Sequence, residues 1–333
     1  MKTIIPKNEA LQAVHAVKRH GKGQHRHSIA RLQEHIWERQ KTTGVGPASS
    51  LSPIDLTGPH PRILWTPERL DRARAWLEAN PFNSRTPLED AMKYVLTGSM
   101  AEGLEARDAV FNFDVPDSEL AGVASDLDRW NQWVPVVVDW CWDLISVDPR
   151  WPAWKARYDF IRWTLRNKDW GGIWQPTSNY FWGYLSNEIN WAIATGNNEL
   201  LDWTLDNRWQ NFKWWVESSG KGGVPTESSQ YGKYQLGYPV LAFIALADFD
   251  RDLLAETSWH TEAVYALIHA TLTGGQTFPY GDDETDTTVT DIYHGDFMAM
   301  MALKYKDQPV GQLAQEWLDG TDPTISRWLE AIG

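Results

Sequence analysis

From Pro61 onward, apolar residues recur at helical spacing in one segment after another, separated by short breaks at Gly, Pro, Asn or Asp. No convincing alternating strand interrupts the succession. A helix with an apolar stripe must bury it against a neighbour, so such segments joined by short loops predict antiparallel helical hairpins. The stretch HPRILWTPERLDRARAWLEANP at 60–81 shows the local grammar. Thr66 stands as N-cap, Pro67 at the first helical position and Glu68 in the first turn, with Leu70, Ala73 and Leu77 on one face before Asn80-Pro81. Further helices are expected at 86–98, 117–146, 150–167, 178–195, 198–217, 229–249, 258–272, 291–305 and 310–332, with weak strand signals at 170–175 and 276–281. No internal repeat is visible, which leaves a regular solenoid unsupported. The expected fold class is all-α, an incomplete (α/α) toroid of antiparallel helical hairpins with few or no strands.

Residues 1–59 read as a separate region. A basic helical arm at 8–41 carries His15, His20, His25, His27 and His35 at spacings that define no metal geometry, and a Gly-, Pro- and Ser-rich linker follows. Residues 60–333 are then the toroid domain. The formal net charge of −13 argues against nucleic acid as the main partner, although a local cluster of Arg and Lys can still hold an anion. A single cysteine, Cys141, excludes an intramolecular disulfide, and its apolar surroundings point to packing. No apolar run is long enough to predict a membrane span, and no charged-then-apolar leader opens the chain as given. The expectation is a cytoplasmic or an already trimmed protein. Tryptophan is the compositional outlier, with 21 copies against 11 tyrosines. Most are expected between packed helices, and a few in a cleft, where the flat indole suits a sugar ring.

Three stretches can carry chemistry, together with a set of cations. The first is GGVPTESSQYGKYQLGY at 222–238, a turn that delivers Glu227, Tyr231 and Tyr234 onto one helical face at steps of four and three. The second is WGGIWQPTSNYFWGYLSNEIN at 170–190, whose Asn179, Asn187 and Asn190 can hydrogen-bond sugar hydroxyls or a carboxylate, or in which Ser178 and Asn179 simply cap a helix. The third is GGQTFPYGDDETDTTVTDIYHGD at 274–296. Its Asp282, Asp283, Glu284, Asp286, Asp291 and Asp296, with His294, read as a divalent-cation loop, as a catalytic carboxylate beside Tyr280, or as an acidic helix cap. The cations Arg162, Arg166, Lys168, Arg208 and Lys233 lie near the aromatics, and Arg162 and Arg166, four apart, could clamp a carboxylate or be ordinary helix-surface arginines. Phosphate loops, a Gly-x-Ser-x-Gly elbow and paired-His metalloprotease motifs are all missing.

Four segments resemble the heparinase II/III and alginate lyase-like group of polysaccharide lyases. They are the 60–81 stretch, VPVVVDWCWDLIS at 134–146, GGVPTESSQYGKY at 222–234 and FPYGDD at 278–283, in the order found in that group. The resemblance implies an (α/α) toroid with a long cleft, usually followed by a β-sandwich, whereas no strand-rich segment precedes Gly333. Where the group often has Asn-His, this chain has Asn179-Tyr180.

The resemblance implies β-elimination on a uronic-acid-containing polysaccharide, with no cofactor. The C5 proton is barely acidic beside a charged carboxylate, so that carboxylate must first be neutralised or hydrogen-bonded. Asn179 is expected to make this contact, aided by protonated Glu227 or a nearby Arg. Tyr234 is expected to take the C5 proton and return it to O4, with Tyr231 in reserve. Arg162 or Arg166 is expected to stabilise the phenolate, Lys233 to point away on the helix, and Trp174, Trp182 and Trp191 to offer sugar platforms beside Tyr180. Two alternatives stay open. One is an inverting glycoside hydrolase pairing Glu227 with Asp282 or Asp283 at ~6.5–9.5 Å. The other is a carbohydrate-binding toroid without catalysis.

Overall fold

The computed structural model describes residues 54–166, 168–273, 275–278 and 288–333. The chain divides between Ser52 and Pro53, and every described residue belongs to the second unit. The histidine-bearing arm, Tyr280, Asp282, Asp283, Glu284 and Asp286 lie outside the described residues.

The described residues form an all-helical protein. In order the helices are α1 (Pro67–Ala79), α2 (Pro87–Thr97), α3 (Met100–Asn112), α4 (Asp117–Ala121), α5 (Asp126–Trp130), α6 (Trp133–Trp140), α7 (Trp142–Ile145) and α8 (Trp151–Leu165). After a long loop come α9 (Asn179–Thr195), α10 (Asn198–Thr204), α11 (Gln210–Ser218), α12 (Ser228–Gly237) and α13 (Val240–Ala247). The last are α14 (Trp259–Ala270), α15 (Ile292–Lys304), α16 (Pro309–Thr321) and α17 (Arg327–Glu330). The stretch at 170–175 forms turns, and around 276 there are only the isolated bridges Thr271–Thr277 and Gln276–Thr288 among the described residues. Among the described residues no helix is long and apolar enough to cross a membrane.

Local chemistry sets the boundaries. Thr66 accepts the Arg69 N–H at 3.3 Å and Thr86 that of Glu89 at 3.2 Å, each followed by a proline at the first helical position. The main departure from expectation is 117–146, which forms four helices instead of one. α4 stops at Gly122, and Ser125 restarts the chain by accepting the Asp128 N–H at 3.1 Å. Glu119 reaches across the gap to accept the N–H groups of Asp126 at 2.9 Å and Leu127 at 3.2 Å. A five-residue helix is too short to stand on propensity, and these caps hold α5 in place. Similar breaks split 198–217 at a π-helical turn over Leu205–Trp209, and 229–249 at Pro239.

Two buried carboxylates organise the interior. Asp139, on α6, accepts the backbone N–H groups of Arg62 at 2.8 Å and Ile63 at 2.7 Å and meets His60 Nδ1 at 2.6 Å. The 60–63 turn is thereby pinned onto α6, and His60 stacks on Trp142. Glu188, on α9, takes the guanidinium of Arg208 in a fork at 2.7 and 3.0 Å with both side chains buried. α9 is the central element. All its residues except Tyr180 and Thr195 are buried, and it packs against α5, α6, α10, α12 and α13. A helix covered on every side is the expected state for NYFWGYLSNEINWAIAT, apolar around its circumference. Some of its polar groups find internal partners, as with Asn187 Nδ2, which donates to the Asp128 carbonyl at 2.9 Å.

Candidate functional site

The site forms where the N-terminus of α9 meets α5 and α12, and its centre is Arg129. Gly183 allows the approach of α5 to α9, since a Cβ there would lie 2.9 Å from Arg129 Cγ and 3.1 Å from its Cα. Arg129 is 5% exposed. Its Nη2 donates to Asp126 Oδ1 at 2.7 Å, and its Nη1 donates to Asn179 Oδ1. The guanidinium carbon sits 4.3 Å from the Tyr180 ring centroid, 4.9 Å from that of Trp130 and 5.7 Å from that of Tyr234. The Tyr180 hydroxyl donates to the same Asp126 oxygen at 2.8 Å, closing the group.

The 222–238 turn brings its carboxylate to the same place. Glu227 begins α12 but does not cap it; its Oε2 accepts the backbone N–H of Asn179 at 2.5 Å, at the positive end of α9. Two turns later Tyr234 enters a ring cluster, 4.8 Å from Tyr293 edge-on and 4.9 Å from Tyr238 in a stack. Burial pushes the Tyr293 phenol up to about 12 and the Tyr180 phenol to about 12, the latter reinforced by its bond to Asp126. Burial also raises the Tyr238 phenol well above its ordinary value. These three therefore stay protonated near neutral pH. Tyr231 is half exposed, with its ring 6.4 Å from that of Tyr234.

Asn179, Tyr180 and Tyr234 thus surround one guanidinium, and Glu227 joins the group through the Asn179 N–H. Arg129 was not among the expected site residues, and its segment ASDLDRWNQW holds no motif that could have found it. Lys233 was expected to point away. Instead its Nζ lies 5.5 Å from the Tyr234 ring centroid and 3.5 Å from Asp291 Oδ2. Asp291 caps α15 and also meets His294 Nδ1 at 3.1 Å, and His294 is buried beside a cavity of about 290 Å³ lined by Lys233, Leu236 and Leu267.

Several expected roles are corrected. Arg162 is buried in an ion pair with Asp128, and Arg166 lies over the Trp203 ring at 3.9 Å, so the two do not form an exposed clamp. Arg208 is committed to Glu188, and Lys168 donates to the carbonyls of Leu120 and Gly122. Trp182 and Trp191 are fully buried, with their indole N–H groups given to the Pro176 carbonyl and to Asp159, so neither has a face for a sugar. Trp174 is half-buried in the loop before α9. Asp282 lies outside the described residues. Of the acidic loop, Asp291 caps α15 and Asp296 binds Ser326, and among the described residues no group of three His, Cys, Asp or Glu side chains could hold a metal.

Models of known protein families do not match this chain, and a search of curated proteins finds no similar sequence. The resemblance to the lyase group therefore rests on the four segments themselves.

Proposed function

We propose that the protein is a polysaccharide lyase that cleaves a uronic-acid-containing glycan by β-elimination, on helices arranged as an incomplete (α/α) toroid. The observation that carries this reading is that Asn179 and Tyr234, singled out by spacing and resemblance, meet at Arg129, with Glu227 bonded to the Asn179 backbone. Arg129 and the Asn179 side chain bind the uronate carboxylate, and the charge of Arg129 offsets the negative charge that builds as C5 loses its proton. A phenol acts as a base only as phenolate, and Arg129 and Lys233 are the cations beside the Tyr234 ring. Tyr234 takes the C5 proton, the C4–O bond breaks as the C4–C5 double bond forms, and the proton returns to the departing O4. The reaction as written uses no cofactor. Glu227 holds the N-terminus of α9, and with it Asn179, in position.

The hydrolase alternative needs Glu227 as a general acid. Its commitment to the Asn179 N–H weighs against that role.

The test is to incubate the protein with alginate, hyaluronan and heparan sulfate and follow absorbance near the ultraviolet edge, where an unsaturated uronate absorbs. The expected result is a rising signal on at least one polymer, lost in Tyr234→Phe. Reducing ends released without absorbance would establish hydrolysis, and no cleavage of any polymer would overturn the lyase reading.

A further inference from the structure

Arg129 is the second member of a ladder. Its guanidinium meets the Trp130 ring at 4.9 Å and the Tyr180 ring at 4.3 Å, and Trp170 follows with its ring centroid 6.0 Å from that of Tyr180, tilted by 55°. The middle of the ladder is covered and its ends are open: Arg129 is 5% exposed, Trp130 57% and Trp170 54%. Isolated exposed aromatics are common on protein surfaces and need no explanation. These two differ in being the exposed ends of one continuous chain of ring contacts that includes a buried cation.

The fold also holds the Trp170 end firmly. The Trp170 N–H donates to the Val123 carbonyl at 3.0 Å, and Lys168 Nζ donates to the Gly122 carbonyl at 2.6 Å. Gly171 then turns with φ of 74° so closely over Tyr180 that a Cβ would lie 2.3 Å from the tyrosine's own. An indole whose loop is tied down by these two hydrogen bonds and by the close packing of Gly171 loses little freedom when a ligand stacks on it. By contrast Trp163 and Trp214, exposed to a similar degree, have no ring or cation contact with the Arg129 group among the described residues.

We propose that Trp130 and Trp170 are the sugar-stacking platforms of this site, binding the ring faces of an acidic oligosaccharide whose carboxylate is held between them at Arg129. The sugar class rests on the lyase reading above; the assignment of the platforms rests on the ladder. It replaces the buried Trp182 and Trp191 with two residues that have open faces. Indole faces supply sequence-tolerant stacking, and the guanidinium selects acidic over neutral sugars.

The experiment uses the full chain carrying Tyr234→Phe, so that ligand is not consumed. It is titrated calorimetrically with size-fractionated oligosaccharides from alginate and hyaluronan and with neutral xylo-oligosaccharides of equal length. Trp170→Ala, Trp130→Ala and the control Trp214→Ala are added singly to that background, with thermal melts to confirm folding. The expected result is binding of an acidic oligosaccharide that weakens about tenfold in each platform variant and is unchanged in the control. Trp170→Ala is the cleaner arm, because Trp170 reaches Arg129 only through Tyr180. Unchanged affinity in a folded Trp170→Ala protein would overturn the proposal, as would binding of none of the oligosaccharides. A Trp-dependent loss of binding in a protein whose parent forms no unsaturated product would uphold the platforms and overturn the lyase reading alone.

Discussion

The Glu227 carboxylate accepts the backbone N–H of Asn179 at 2.5 Å, joining the starts of two helices across 48 positions of chain. Glu227 stands at the N-cap of its own helix yet leaves that helix's N–H groups to others. It satisfies an unpaired donor of α9, where the helix dipole favours a negative charge. The same bond ties Asn179 to the start of the helix that carries Tyr234.

Glu227→Gln tests this assignment. The amide oxygen can still accept the Asn179 N–H, and the lost charge–dipole interaction corresponds to about 0.3–1 kcal/mol. Turnover on an acidic polymer is expected to fall no more than about fivefold. A loss of activity as complete as that of Tyr234→Phe would make Glu227 a proton donor and favour the hydrolase alternative.

Arg129→Lys separates charge from geometry. A lysine keeps the positive charge but cannot hold Asp126 and Asn179 together in a fork or lay a planar group against the Trp130 and Tyr180 rings. Initial rates are expected to drop by ~10²–10³, in the range seen when a positioned charge-stabilising donor is removed. Recovery of most activity with lysine would show that charge alone suffices.

Arg162→Met is expected to damage stability and not substrate binding as such. Arg162 and Asp128 are both buried, and removing the cation leaves an uncompensated carboxylate beneath α5. Chemical denaturation should show a loss of about 3–5 kcal/mol. The double change that also replaces Asp128 with Asn should recover part of it.

His260 gives the protein an acid-sensitive core. It is fully buried among Trp182, Trp209, Phe212, Phe243 and Trp259, and neither ring nitrogen has a hydrogen-bond partner among the described residues. Burial pushes its pKa down to about 3. An unfolded histidine takes up its proton near 6.5, so between that pH and about 3 the unfolded state binds more protons than the folded one. Stability contributed by neutral His260 is therefore full above 6.5 and falls as the solution is acidified, with a limiting slope of about 1.4 kcal/mol per pH unit. Urea midpoints from pH 7 down to 4.5 should fall less steeply in His260→Phe than in the parent.

Helix grammar was legible wherever a side chain next to the element supplies the signal. Thr66-Pro67 begins a helix as read, the helix expected at 86–98 starts at Thr86-Pro87, and the apolar circumference of 179–195 belongs to the helix that the others cover. The same circumference explains why Trp182 and Trp191 are unsuitable as platforms: a helix buried on all sides has no open face. The breaks in 117–146 were not legible, because α5 is held by Glu119 from the preceding helix and not by its own composition.

What the sequence alone determined is local: an all-α fold over the described residues, and a carboxylate and two phenols on consecutive turns after a glycine-rich bend. Spacing along one helix is enough for that, since side chains three and four residues apart share a face. Tertiary structure alone decided which cation from elsewhere in the chain stands beside Tyr234. Arg162, Arg166, Arg208 and Lys168 are spent on internal partners, while Arg129 reaches the Tyr234 ring because Gly183 lets two helices touch. A charge acts over a few ångströms of space, and nothing in a residue's neighbours along the chain records which distant ring will stand beside it.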